Sequence, residues 1–430
     1  MENKIKIYIT DKLYGFCKTF LRVGFFLTIR RIRRNSVWLS ILVTFIMFVT
    51  FINLVLVNGI LVGLIEGSKK DNKEQYTSDV FINSLENETY IKNSNNIIKN
   101  LSSYDEIISY TPRVVTSGLI EANYKNRTNL TDKANELVTT IAGIEPELED
   151  KTTNLSKHVI EGEYLQNGEN NEILIGSNLL DRYSRGVSGD TLLINVYPGD
   201  TLRILINEKY HEVIVKGIVK SKVSSVGNRI FMNKKLLRKI IGTPNLNYQE
   251  IAIKLKTESD SNQIKKLIAK DFKKDADTKT SDEALGSFFQ DIKITFQLLS
   301  NLIGGIALFV ACITIYIIIF INAITRRKYI GILKGIGICD LTITISYILQ
   351  ALIYAIIGSI AGLLLTYFII KPYIDQNPID FPFSDGILSV PISMTLLRFL
   401  ILIILTAIAG YIPSKIIVKK NTLDSILGRN

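Results

Sequence analysis

Residues 325–362 read TRRKYIGILKGIGICDLTITISYILQALIYAIIGSIAG, and two opposite chemistries meet there. Residues 325–337 are a basic, glycine-punctuated turn. Arg326, Arg327, Lys328 and Lys334 crowd it, with Gly331, Gly335 and Gly337 among them. From Leu341 an uncharged apolar run continues to about Ile370. A bilayer core needs about 20 helical residues, so this run is long enough to cross one. Positive charge in a short loop marks the cytoplasmic side. Each glycine inside a helix costs about 1 kcal/mol relative to alanine. Three so close together imply a close approach to another surface or a sharp turn into the next span. Ile330, Ile332, Leu333 and Ile336 supply apolar contact that a cytoplasmic loop would otherwise avoid exposing. The competing reading is an interfacial helix resting on lipid headgroups, held by the same basic residues.

Outward from this stretch, the 430 residues are 47% hydrophobic, and the apolar ones pool into four long runs. The expected architecture is an α-helical membrane protein with four transmembrane helices plus an α+β extracytoplasmic domain inserted between the first and second spans. The formal charge of +11 raises nucleic acid as a partner. Much of the excess sits beside the spans, where it sets orientation and meets anionic lipid. No aromatic-basic module appears, so nucleic acid is set aside. Cys17, Cys312 and Cys339 all lie outside residues 66–290, so that domain is held without disulfides. No Cys/His cluster has metal-ligand spacing, and His158 and His211 read as surface or sheet-packing residues.

In chain order, residues 1–36 read as a cytoplasmic amphipathic helix, with Leu13, Phe16, Cys17, Phe20, Leu21, Phe25 and Thr28 at helical spacing. Arg30, Arg31, Arg33 and Arg34 then stop it at the membrane. Residues 37–65 are the first span, where Gly59 and Gly63 form a small-residue pair of the kind that lets helices pack closely. Residues 66–290 are polar, with strands expected at 80–82, 107–110, 139–144, 173–175, 191–196, 202–206, 213–219, 229–232 and 250–255. Helices are expected at 91–101, 234–241 and 260–272. Residues 291–323 are a stalk and the second span, entered by a helix running on continuously from about Asp282. Residues 324–340 are the cytoplasmic segment, 341–370 the third span and 371–390 a short acidic outer loop. Residues 391–412 are the fourth span, with Arg398 snorkelling near its outer end. Residues 413–430 are a basic cytoplasmic tail, which leaves both termini inside.

The absent chemistry narrows the function. There is no G-x-x-x-x-G-K-[ST] phosphate loop, no H-E-x-x-H and no G-x-S-x-G. No catalytic residue, cofactor or metal ligand is assigned. The apolar cores hold no Asp, Glu or His of the kind an ion-coupled carrier buries at membrane depth. The spans are therefore expected to transmit force, not to conduct a polar substrate.

Arg327, Ile330, Gly331, Ile332, Leu333, Lys334, Gly335 and Gly337, followed by Gln350-Ala351-Leu352 and the pair Gly358 and Gly362, resemble the C-terminal domain of FtsX-like permeases. That is the MacB/Lol group of ABC transporter membrane subunits. The pattern departs at Tyr329, where an acidic residue is frequent, and at Ile338-Cys339, which replaces a small pair. The resemblance implies that the first eight of these residues couple to a separate cytoplasmic ABC ATPase, which binds the ATP, and that Gly358 and Gly362 pack helices. It implies a MacB-like core domain at 66–290, with porter-like halves at about 70–130 and 248–280 and an inserted β-rich subdomain at about 135–245. It also implies a bacterial cell membrane location, and the single four-span set suggests a dimer with a second copy or a paralogue around one ATPase pair. The function so implied is mechanotransmission for export or extraction of a lipoprotein, peptide or hydrophobic compound. The alternative is a signalling or regulatory subunit controlling an envelope enzyme. Substrate, dimer type and docking of an accessory envelope protein stay open.

Overall fold

The computed structural model describes residues 22–34, 36–126, 134–168, 170–183, 192–242, 246–257, 259–377, 379–381, 384–386 and 388–419. The expected amphipathic helix before residue 22 and the tail after 419 lie outside them. The chain divides into two compact units: residues 1–64, 293–379 and 386–430, and residues 65–292 with 380–385.

Among the described residues four helices are long and apolar enough to cross a membrane, and most of their length lies in the first unit: Val37–Thr77, Phe289–Thr325, Asp340–Gln376 and Ile392–Val418. The third is central. A Cβ on Gly358 would lie 2.7 Å from Met47 Cβ and 2.8 Å from the Thr44 carbonyl oxygen, so the first span's backbone sits directly against it. About two turns earlier along the same helix, a Cβ on Gly410 of the fourth span would meet Ala351 Cβ at 3.2 Å. Small residues thus set these approaches, where dispersion and not hydrophobicity holds helices together. Side chains such as Leu302, Ile306, Phe309 and Ile313 leave an apolar stripe exposed along the second span, as a lipid-facing helix should. The third span buries polar groups inward: Gln350 donates to the Tyr354 hydroxyl at 3.2 Å, and that hydroxyl pairs with Ser40 at 3.0 Å.

Gly59 corrects one expectation. Its nearest neighbours are Leu388, Ser389 and Val390, and the Ser389 N–H donates to its carbonyl oxygen at 3.1 Å. The missing side chain admits a loop backbone, not another span. Gly63 is buried in the same helix.

The second unit is built on ten strands among the described residues. They are β1 (Val80–Asn83), β2 (Ile107–Ala122), β3 (Asn135–Ile144), β4 (Val159–Gly162), β5 (Glu172–Gly176), β6 (Thr201–Ile206), β7 (Lys209–Val219), β8 (Arg229–Asn233), β9 (Glu250–Leu255) and β10 (Asp277–Thr280). Strand β2 belongs to two sheets. Its first half, to Arg113, pairs antiparallel with β9, in a sheet ordered β10-β1-β9-β2. Helices Ser94–Leu101 and Ser261–Phe272 bury Ile97, Leu101, Ile264 and Ile268 in that sheet's core. Its second half, from Val114, pairs with β3 on one side and β6 on the other. The path β2-β3-β8-β5-β7-β6 returns to β2, so these six strands close on themselves. Alternating residues fill the interior: Leu202, Ile204 and Ile206; Val213 and Val215; Ile230 and Met232. Helix Lys234–Ile241 packs Leu236, Leu237 and Ile240 against the same core.

Four local expectations need correction. Residues 192–196 are not a strand: Leu193 makes an isolated bridge with Leu180, and Asn195 has φ 54°. The helix expected from residue 91 starts at Ser94, because the Ile91 N–H is used by the Tyr248 carbonyl and Asn93 is left-handed. The entry to the second span is broken. A capping box of Thr280 and Glu283 opens the short helix Ser281–Ala284, and Gly286, at φ +78°, starts a new one, Gly286–Thr325. The first helix runs on to Asn72 and closes in a π-helical turn, Lys73–Thr77.

Candidate functional site

The basic stretch between the second and third spans is mostly a short helix, Arg327–Gly335, where a turn was expected. It ends because the next residues need a left-handed backbone. Gly337 has φ +91°, its N–H donates to the Lys334 carbonyl at 3.0 Å, and the Ile338 N–H donates to that of Leu333 at 3.0 Å. The glycine therefore makes the turn that leads into the third span at Asp340.

The structure sorts the expected coupling residues by face. Ile330 and Gly331 point inward and are buried, and Leu333 is half-buried against the spans. Lys334 is committed within the chain, donating to the Val418 carbonyl at 2.8 Å and pairing with Asp340 at 3.1 Å. Arg327 is half-buried. Ile332 and Gly335 face outward, and a Cβ on Gly335 would meet nothing within 4 Å. Tyr329 and Ile336 share that outward side, at 59% and 70% exposure, beside the exposed Lys328. Tyr329, read in the sequence as a departure from a pattern, thus belongs to the surface. The result is a cationic helix with an apolar outer face, at the junction of two spans.

A second locus lies in the other unit, where the π-helical turn Lys73–Thr77 meets the sheet. Arg113 is 1% exposed and grips Glu149 with Nε and Nη2, at 2.9 and 2.6 Å. The same Nη2 donates to the Tyr76 carbonyl at 2.8 Å, and Nη1 reaches Glu250 at 3.4 Å. Arg229 takes Glu250 from the other side with two bonds, at 2.8 and 3.0 Å, and the Tyr76 hydroxyl donates to Glu250 at 2.9 Å. Thr111 and Thr153 donate to Glu149 at 2.9 and 2.8 Å. Burial works against each charge, and the pairing overcomes it. Glu250 is held below its ordinary value chiefly by Arg229 and then Arg113, while both guanidinium groups are pushed above theirs by the carboxylates. Nothing in the sequence reading singled out these residues. The available signal was an arginine at position 113 directly before the apolar pair Val114-Val115 of a strand. Among the described residues no group of His, Cys, Asp and Glu is arranged to hold a metal.

Residues 301–422 match the family described as FtsX-like permease C-terminal, a range that takes in most of the second span, the short helix and the third and fourth spans. An uncharacterized ABC transporter permease of Methanocaldococcus jannaschii is 29% identical over 182 residues, covering 40% of this chain and 48% of the relative. The chain thus spans about half the length of that relative. Among solved structures, the periplasmic region of MacB from Actinobacillus actinomycetemcomitans matches 49% of the chain and 91% of itself, at 15% identity and TM-score 0.34. The extracellular domain of the ABC-type transporter YknZ from Gram-positive bacteria matches 47% of the chain and 99% of itself, at 13% identity and TM-score 0.31. The chain carries an FtsX-like permease C-terminal domain over residues 301–422 and is a homologue of an ABC transporter permease.

Proposed function

We propose that this chain is the permease subunit of an ABC transporter, driven by a separate cytoplasmic ATPase whose motion it carries to an extracytoplasmic domain. The substrate class is a lipoprotein, peptide or hydrophobic compound exported or extracted from the membrane. The observation that carries this reading is the helix Arg327–Gly335, inside the FtsX-like match, with Tyr329, Ile332 and Ile336 exposed on one side. Exposed apolar residues on a cationic helix fit a protein partner better than water. The orientation follows from Arg30, Arg31, Arg33 and Arg34 before the first span and Arg326, Arg327 and Lys328 after the second, which put these ends and both termini inside. Residues 66–290 then lie outside. A single four-span set fits a dimer with a second copy or a paralogue around one ATPase pair.

The test is co-purification of the ATPase with Gly335→Trp and Ile332→Asp variants. Both positions are open in this chain, so neither change should disturb its own folding. The ATPase is expected to dissociate from both. Its retention at wild-type level, with normal stimulation of turnover, would remove this helix as the docking element.

A further inference from the structure

The helical residues 22–34, the short helix Arg327–Gly335 and the third span enclose a cleft of about 420 Å³. Its charged lining is Arg30, Arg31, Arg34 and Arg326, with no carboxylate among the described residues that line it. Arg31 is 9% exposed and stacks on Tyr347, its guanidinium carbon 3.6 Å from the ring centroid. Its Nη1 is buried without a hydrogen-bond partner, and so is the Tyr347 hydroxyl, from a second residue of the same lining. A buried guanidinium with an unmade donor is costly unless an anion meets it. Burial first, and Arg326 further, pull the Arg31 guanidinium below its ordinary value, an effect that a bound anion would reverse.

The neighbours are held in place. Arg34 donates to the Tyr329 hydroxyl at 3.3 Å, and Arg326 donates to the Arg34 carbonyl at 3.0 Å. The cations are thus positioned in a structured cleft. Arg34 stands three residues before the first-span helix begins at Val37, and Arg326 directly follows the second-span helix. At a rise of about 1.5 Å per residue, both lie at headgroup level. Leu27 and Leu333 add apolar wall.

We propose that this cleft binds the phosphodiester headgroup of an anionic membrane phospholipid, with Arg31 and Arg30 as its principal phosphate donors. Guanidinium groups match phosphate oxygens in paired hydrogen bonds, and basic pockets between spans are suited to anionic headgroups. The cleft is also larger than a free phosphate needs, and its apolar wall suits the root of an acyl chain.

The test is native mass spectrometry of the purified full chain in detergent, with phosphatidylglycerol or phosphatidylcholine added. One retained phosphatidylglycerol per chain is expected, with at least tenfold weaker retention of phosphatidylcholine. Arg30→Gln and Arg31→Gln should each lower retention about tenfold. Arg33→Gln, which removes the same charge from an exposed position outside the lining, should not. If Arg31→Gln fails to fold, Arg30→Gln, at an exposed position, decides. Equal retention of the two lipids, an equal loss with Arg33→Gln, or no lipid retained by the wild type would overturn the proposal; the last is the result expected if the cleft instead accepts a carboxylate from the ATPase. Full displacement by millimolar inorganic phosphate would overturn it in favour of free phosphate.

Discussion

Arg113→Met should cost this protein more than any surface change in the soluble unit. Arg113 is 1% exposed and donates to Glu149 twice, to the Tyr76 carbonyl and to Glu250. Methionine fills much of the volume and removes every donor. Glu149, itself 1% exposed, would keep only the Thr111 and Thr153 hydroxyls against its charge. Removing one partner of a buried pair costs about 3–5 kcal/mol, mostly from the charge left behind. At about 2–4 °C per kcal/mol for a unit of this size, the transition should fall by roughly 10 °C. The assay is thermal unfolding of the purified full chain in detergent, followed by circular dichroism. The double variant Arg113→Met/Glu149→Leu should recover much of the loss, since it leaves no unpaired charge at that pair. A single-variant shift under about 2 °C, less than about 1 kcal/mol, would refute the argument that this cluster fastens the π-helical turn to the sheet.

Gly358→Ala should destabilise the membrane unit by about 1 kcal/mol, an overpacking cost of about 1–3 kcal/mol less about 1 kcal/mol of helix propensity. Gly362→Ala should cost less, because its nearest contact, at 2.9 Å, is the edge of the Phe51 ring and not backbone; chemical unfolding in mixed detergent would rank the two. Glu250 has a folded value below its ordinary 4.5, so its contribution is complete above about pH 4.5 and is lost as the pH falls through the lower folded value. The thermal transition should therefore drop below about pH 4.5, and Glu250→Gln should flatten that limb, as circular dichroism across pH would measure. With Cys17, Cys312 and Cys339 replaced by serine, Lys239→Cys should react with an impermeant maleimide in intact cells and Lys328→Cys only after permeabilisation; the reverse pattern would invert the topology.

Much of this architecture was legible because membrane spans and amphipathic helices write themselves in composition and period. The limits of helix Lys234–Ile241 follow directly from its apolar spacing and from Gly242, its left-handed C-cap. Strand β2 was read as four residues although it has sixteen, since Pro112 and the buried Arg113 break its apolar alternation. The four-residue strands β4 and β10 are too short to show a period-two signal in sequence and are fixed by their partners. Closure of the six strands depends on β6 reaching β2 some eighty positions away, which no local pattern encodes. At the candidate site, the basic and apolar residues of 326–336 could be named from sequence, but their sorting could not. That Lys334 turns inward to Val418 and Tyr329 outward depends on how the fourth span ends beside the short helix.

The central claim is that ATP-driven motion at the helix Arg327–Gly335 reaches the soluble unit. Hydrogen–deuterium exchange on the reconstituted complex, with and without vanadate-trapped nucleotide, tests it directly. Trapping is predicted to change exchange severalfold in residues 65–83 and 277–292, where the two long helices join the soluble unit, and Gly335→Trp should abolish the change. Unchanged exchange in those residues while the ATPase turns over at its normal rate would contradict it.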